Sequence, residues 1–309
     1  MTTLLDQPAL DAPERPAPPR SFAAWWAVPP LVIVLIAAVY PLIRVCLESL
    51  KTGDTGSGWS NWAGVLSSEA FLDALWRTVA IAATSTVGCL ILGTFLAIVL
   101  AFVPFPGSQL VGRLIDTVLA LPSFLVTLAF TFLYGTAGAV NAAIAGLTGA
   151  SPVLNFLYTP AGVIAAEVTF FTPFVIRPLL ASFSMLPRAQ LDVAASLGAS
   201  PLRVLRTVMM PEAWPALMAG GSLVLLLSLN EFGIVLFTGA KGVITLPVLI
   251  YTRGIVTFDL PGAAVIATVQ IALSLALYTL YRVIFGRVMQ GRGNHEKEAA
   301  GDVVVDSAK

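Results

Sequence analysis

Six stretches of this chain, residues 26–47, 79–103, 115–134, 161–183, 216–237 and 263–285, are long and apolar enough to cross a bilayer. A hydrocarbon core takes about 20 predominantly apolar residues as a helix. No other feature constrains the fold as tightly. Lipid offers no hydrogen-bond partner, so every backbone N–H and C=O within such a run must be satisfied internally, and an isolated run does this only as a helix. The expected fold class is an all-α membrane protein with six transmembrane helices. Only 11% of the residues are charged and 57% are hydrophobic, against roughly 25% charged in a typical soluble domain. An ordinary soluble globular protein is excluded. Pro122 and Pro173 fall inside two of the runs, where neighbouring helices re-satisfy the backbone groups that proline frees. Gly88, Gly93, Gly220 and Gly221 offer faces for close helix packing.

Lysine and arginine set the expected orientation, because cytoplasmic loops carry an excess of them. With the N-terminus placed inside, 12 of the 17 fall on the cytoplasmic side or its flanks. The other 5, Arg44, Lys51, Arg77, Lys241 and Arg253, fall outside. Both termini and the loop between the fourth and fifth spans then face the cytoplasm. Residues 1–21, rich in Pro, Ala and acids, read as a disordered cytoplasmic tail. Residues 22–75 read as the first span and an outer loop, and residues 76–287 as the main transmembrane domain with a cytoplasmic loop at 186–212. Residues 288–309 read as a cytoplasmic tail, disordered from Gly291. With no basic region, short apolar stretch and small-residue cleavage site in succession, the first span reads as an uncleaved anchor. Residues 135–160 carry no charge and read as a surface-lying helix or a re-entrant segment, and residues 246–251 as a short apolar element in an outer loop.

No catalytic constellation is visible. There is no GxxxxGK[ST] loop for ATP, and no metal-ligand cluster stands out. The single histidine, His295, lies in a polar tail. Cys46 and Cys89 sit in or beside apolar runs and read as small buried hydrophobes. A net charge of zero gives no global basic field for nucleic acid. Ionisable residues inside a span are costly and lean functional. Glu167, a third of the way into the fourth span, and Asn230 with Glu231, in the outer half of the fifth, are candidates to line a translocation path and meet a cationic group on a solute. The competing reading is pairing within the bundle. Arg177 reads as a snorkelling side chain, and Asp116 as an acid favoured near a helix N-terminus.

One polar segment stands out from this apolar background, residues 191–211, LDVAASLGASPLRVLRTVMMP. Good helix formers run from Arg188 to Leu197. Gly198 follows where a helix end favours positive φ. Ser200 and Pro201 then form a start signal, a capping hydroxyl followed by proline at the first helical position. A second short helix is expected to run to about Met210, with Pro211 helping to stop it. Ala194, Ala195 and Gly198 give the first helix a small face beside one acid, Asp192, while Arg203 and Arg206 share a face of the second.

This segment resembles the cytoplasmic coupling loop of binding-protein-dependent ABC-importer permeases. That loop has the pattern Glu-Ala-Ala, three residues, Gly, nine residues, Ile-x-Leu-Pro. Asp192, Val193 and Ala194 take the first places, Gly198 the glycine place, and Val208, Met210 and Pro211 the closing places. Asp stands for Glu, Val for the first Ala, and Val and Met for Ile and Leu, keeping charge and apolarity. The resemblance covers residues 79–285 and includes Leu121-Pro122-Ser123 and the stretch 135–141. It implies a type I, MetI-like permease with six transmembrane helices in a bacterial inner membrane. It implies pairing with a second permease, as homodimer or heterodimer, and a cytoplasmic ATPase dimer that receives the Asp192 helices and binds the ATP. An extracytoplasmic binding protein would deliver the solute. The implied coupling residues are Asp192, Val193, Ala194, Ala195, Gly198, Val208 and Pro211. The run starting at Asn230, NEFGIVLFTGAKGVITLPVLIYTRGIVTFDLPGAAVIA, is most similar to permeases of 2-aminoethylphosphonate importers. Polyamine, ferric-iron, thiamine and sulfate branches are the alternatives. A secondary transporter would explain six spans and buried acids but not the spacing from Asp192 to Pro211. A membrane-embedded enzyme would need a convergent catalytic set that the sequence does not display.

Overall fold

The computed structural model describes the backbone of residues 25–26, 28–54, 57–149, 155–240 and 242–306, with the side chains of all of these except residue 188 and residues 288–306. The tail read at residues 1–21 lies outside them. The chain divides into two compact units, Met1–Leu47 and Glu48–Lys309. Most of what is described of the first is helix α1 (Val28–Glu48), whose last residue falls in the second and which has Pro41 inside it. The second contains α2 (Trp59–Leu66), α3 (Glu69–Phe102), α4 (Ser108–Leu119), α5 (Ser123–Tyr134), α6 (Ala139–Thr148), α7 (Pro160–Ser184) and α8 (Arg188–Ser196). It continues with α9 (Pro201–Val204), α10 (Met210–Leu229), α11 (Gly233–Thr238), α12 (Leu246–Tyr251) and α13 (Leu260–Asp306). Among the described residues, 6 helical stretches are long and apolar enough to span a membrane.

Three boundaries differ from the sequence reading. Helix α3 begins at Glu69, well before the expected start, because Ser68 caps it: the Ser68 hydroxyl accepts from Phe71 N at 3.3 Å. Its 34 residues make a rod about 51 Å long, which outreaches a hydrocarbon core of about 30 Å. The expected third span is broken at residues 120–122, so α4 and α5 are separate helices and the apolar span starts at Ser123. Pro122 is the cause: its ring disfavours helical geometry at Leu121, and Pro122 itself is extended at φ −61°, ψ 140°. The fifth span runs from Pro201 to Leu229 and stops before Asn230, with α11 as a separate short helix beyond the break.

Helix α7 forms the centre of the second unit. Val163, Phe171, Val175, Ile176 and Leu179 are buried along it, clustered with Ile81, Cys89 and Ala97 of α3 and Ala213 and Val224 of α10. Between helices in lipid the hydrophobic effect supplies little, so close packing has to do the holding. The glycines provide it. A Cβ at Gly88 would lie 2.7 Å from Val168 Cγ2, one at Gly93 2.8 Å from Val175 Cβ, and one at Gly220 3.1 Å from Val175 Cα. Only glycine lets α3 and α10 approach α7 this closely. Pro173 and Pro178 sit inside α7 without ending it.

A second cluster lies at the other end of α3. Val65 of α2, Phe71 and Ala74 of α3, Leu246 and Leu249 of α12, and Val265 and Ile266 of α13 are buried together. Leu246 N donates to Thr78 Oγ1 at 2.8 Å. Asp259 pairs with Arg253 at 3.4 Å and accepts from Gly262 N at 2.9 Å. The short apolar element read at residues 246–251 is α12. The uncharged stretch 135–160 holds α6, whose Asn141 is buried and donates to Gly135 O at 2.9 Å. Cys89 is buried as expected, 3.7 Å from Val168 O; Cys46 is exposed. Where disorder was expected from Gly291, the backbone of α13 continues as helix to Asp306. Extending an existing helix is cheap per residue, and Glu, Lys and Ala favour it.

Candidate functional site

The polar segment forms a hairpin of two helices between α7 and α10. Helix α8 ends in a Schellman motif: Gly198 N donates to Ala195 O at 2.9 Å and Ala199 N to Ala194 O at 3.1 Å. Gly198 adopts φ 76°, and a Cβ there would meet nothing within 4 Å. The requirement for glycine is therefore conformational rather than steric. Leu191, Val204 and Leu205 pack on the main core and anchor the hairpin. The opposite side is bare. Asp192, Ala195, Arg203 and Arg206 are exposed, and so are apolar side chains that a free surface would normally hide: Leu197 at 83%, Met185 at 82% and Val193 at 59%. Ala194, Val208 and Pro211 are half-buried.

Two local expectations fail here. The Ser200 hydroxyl makes no capping hydrogen bond; its carbonyl accepts instead, from Arg203 N at 2.8 Å and Val204 N at 3.0 Å. The second helix does not stop at Pro211. It continues through a π-helical turn at Leu205–Met209, where Met210 N donates to Leu205 O, directly into α10. The wider turn absorbs the ring and the missing N–H of Pro211, which a regular helix tolerates poorly. The arm from Pro201 is thus one end of a spanning helix and not a separate piece.

Inside the bundle the three acid and amide candidates are placed differently. Glu167 of α7 is 0% exposed. Ser228 Oγ of α10 donates to its Oε2, while Oε1 has no partner. Ser85 Oγ of α3 is buried beside the same carboxyl. Glu231 is half-buried in the break between α10 and α11. Its Oε1 accepts from Ile234 N at 2.7 Å and from Ser123 Oγ at 3.1 Å, joining the start of α11 to the start of α5. Asn230 is exposed and donates to Leu226 O at 2.8 Å. Gln270 of α13 donates to Leu229 O at 2.6 Å. Sequence reasoning missed Ser85, Ser123, Ser228 and Gln270, because single hydroxyls and amides in apolar runs carry no spacing signal.

Arg177, read as a snorkelling side chain, has a partner. It forms an ion pair with Asp116 and donates from Nη2 to Gly112 O at 3.1 Å. Asp116 accordingly belongs to this contact between α4 and α7, late in α4 and far from that helix's N-terminus.

Six spanning stretches, with an exposed hairpin between the fourth and fifth, are the features of a transmembrane permease subunit of an ABC importer. The chain belongs to the family of binding-protein-dependent transport system inner membrane components, whose model matches residues 89–290. It is 48% identical over 263 residues to PhnU of Salmonella paratyphi A, named as a permease protein of a 2-aminoethylphosphonate transport system, covering 85% of this chain and 91% of that one. It is 30% identical over 268 residues to the sulfate transport system permease protein CysT of Salmonella typhimurium, covering 84% and 92%. In fold it is similar to a chain of a bacterial ABC transporter involved in the import of the acidic polysaccharide alginate, with a TM-score of 0.74 at 16% identity, covering 87% of this chain and 96% of that one. The protein is a multi-pass membrane permease and not a catalytic protein.

Proposed function

We propose that this permease carries 2-aminoethylphosphonate into the cytoplasm as part of an ATP-driven importer. The observation that carries the reading is the 48% identity to PhnU over nearly the full length of both chains, well above the 30% to the sulfate permease. A second permease, as homodimer or heterodimer, completes the pathway, and an extracytoplasmic binding protein delivers the solute. A separate cytoplasmic ATPase dimer binds and hydrolyses ATP. The hairpin at residues 186–212 is the part that engages it. Its support is the surface just described: an acid, Asp192, on the same short helix as exposed Val193, with exposed Leu197 at its end and a joint at Gly198. Asp192 pairs with a basic group of the ATPase. The excess of Lys and Arg, 12 against 5, supports cytoplasmic termini and an inner-membrane setting.

Growth on 2-aminoethylphosphonate as sole phosphorus source tests the substrate, with the gene deleted, restored, or restored as Asp192→Lys. Deletion is expected to block growth on the phosphonate and leave growth on phosphate intact. Growth of the deletion strain on the phosphonate, with no second uptake route present, sinks the substrate reading and leaves the permease assignment standing.

A further inference from the structure

The exposed face of the hairpin leads into a pocket at its root. Gln190, Val193 and Leu197 are all exposed and stand at i, i+3 and i+7, the spacing of one helix face. Followed back from Leu197, this stripe ends at the corner where α7 turns into α8. A pocket of about 270 Å³ lies there, lined by Ser182, Met185, Leu186, Pro187, Gln190 and Glu212. Its walls are already fixed. Met185 N donates to Ser182 O at 3.1 Å and Gln190 N to Pro187 O at 3.0 Å. Ser182 Oγ donates to Glu212 O at 3.2 Å and ties the end of α7 to the start of α10. Leu186 packs on the main core, while Met185, Pro187, Gln190 and Glu212 are exposed around the mouth.

The lining has a definite chemistry. Glu212 is its one charged residue, and its carboxylate forms no ion pair among the described residues. The Gln190 amide oxygen is a second acceptor. Met185, Leu186 and Pro187 give an apolar collar. The volume falls below the roughly 300–1,000 Å³ of a drug-sized site and suits a single long side chain. A lysine or arginine fits: its methylenes lie along apolar surface while its head reaches an acid. We propose that this pocket is a second docking point for the ATPase and takes one of its basic side chains onto Glu212. This rests on the reading of the hairpin as the part that engages the ATPase. Continuity favours that occupant, since a partner covering Val193 and Leu197 lies over the pocket mouth at Gln190, and an acid there favours a basic group. Asp192 belongs to the short helix α8, but Glu212 belongs to α10, so contact here bears directly on a spanning helix.

The test is the affinity of the transporter's own ATPase dimer for the full-length permease assembly, held in nanodiscs. Wild type is compared with Glu212→Gln, Glu212→Lys and Asp192→Lys, and the Tm of each assembly is measured beside it. Glu212→Lys is expected to raise Kd about tenfold and Glu212→Gln about threefold, with Tm unchanged because the side chain is exposed. High salt should narrow the gap between wild type and Glu212→Lys. If Asp192→Lys weakens binding and both Glu212 variants bind like wild type, this inference falls and the docking reading stands. If Asp192→Lys also binds like wild type, the docking reading fails and takes this inference with it. A fall in Tm in both Glu212 variants marks a structural role and overturns the inference. Impaired uptake in proteoliposomes with unchanged ATPase affinity gives the pocket another occupant, such as a lipid headgroup, and overturns it too.

Discussion

The hairpin and the buried seam are built by opposite rules. In the hairpin, Asp192 and the apolar side chains of Val193 and Leu197 all stand in the open, and a backbone angle at Gly198 sets the joint between its helices. In the seam, Glu167 has no exposure at all, and three helices close over it through glycine contacts. A surface acid is cheap to keep and worth little until a partner desolvates it. A buried acid is costly at all times and persists only where its position is used. The contrast separates an acid left open at the surface from one enclosed by its own bundle.

Reversing the charge at Asp192 should have the largest effect. A like charge facing the basic group in a closed interface costs about 2–5 kcal/mol, at least roughly 30-fold in transport. Membrane level should stay normal, since Asp192 is exposed. Transport assays beside membrane quantification check this, and normal transport by Asp192→Lys would remove the coupling role. Gly93→Leu should do the reverse, damaging the bundle before the interface. The added side chain meets Val175 and costs about 1–3 kcal/mol, read as lower yield and a lower Tm of the purified protein. Unaltered thermal stability would show that α3 and α7 are not held by that contact.

Gly198→Val sits between the two regions. A positive φ costs a branched residue about 1–2 kcal/mol, so uptake should drop with stability of the bundle unchanged, and Gly198→Asn should recover part of it because Asn tolerates that conformation. Equal uptake by Val and Asn variants would mean that the angle at the joint is not what couples. Ser228→Ala should be the mildest in stability, about 0.6 kcal/mol for one hydrogen bond in a membrane bundle, seen as a small fall in Tm. A large collapse would show that Glu167 depends on that single donor.

Much of the fold could be read before any coordinates. The six apolar runs, the glycines that pack α3 and α10 on α7, the joint at Gly198 and the short element at residues 246–251 all follow from local rules: length in lipid, absence of a Cβ, tolerance of positive φ. The breaks were harder. Pro122 and Pro211 are both prolines in apolar surroundings, yet one separates two helices and the other is absorbed by a π turn. Each outcome depends on what packs alongside.

By itself the sequence determined the class of molecule, the number of spans and the chemistry of the exposed hairpin, because these depend on composition, length and backbone preference along the chain. Only the tertiary structure decided that Arg177 meets Asp116, that Ser228 reaches Glu167 across 61 positions, and that Glu231 bonds Ser123 across 108. Such pairings carry no periodic signal. They exist because close packing in lipid brings particular helix faces together, and a polar group buried there must take whatever partner that packing supplies.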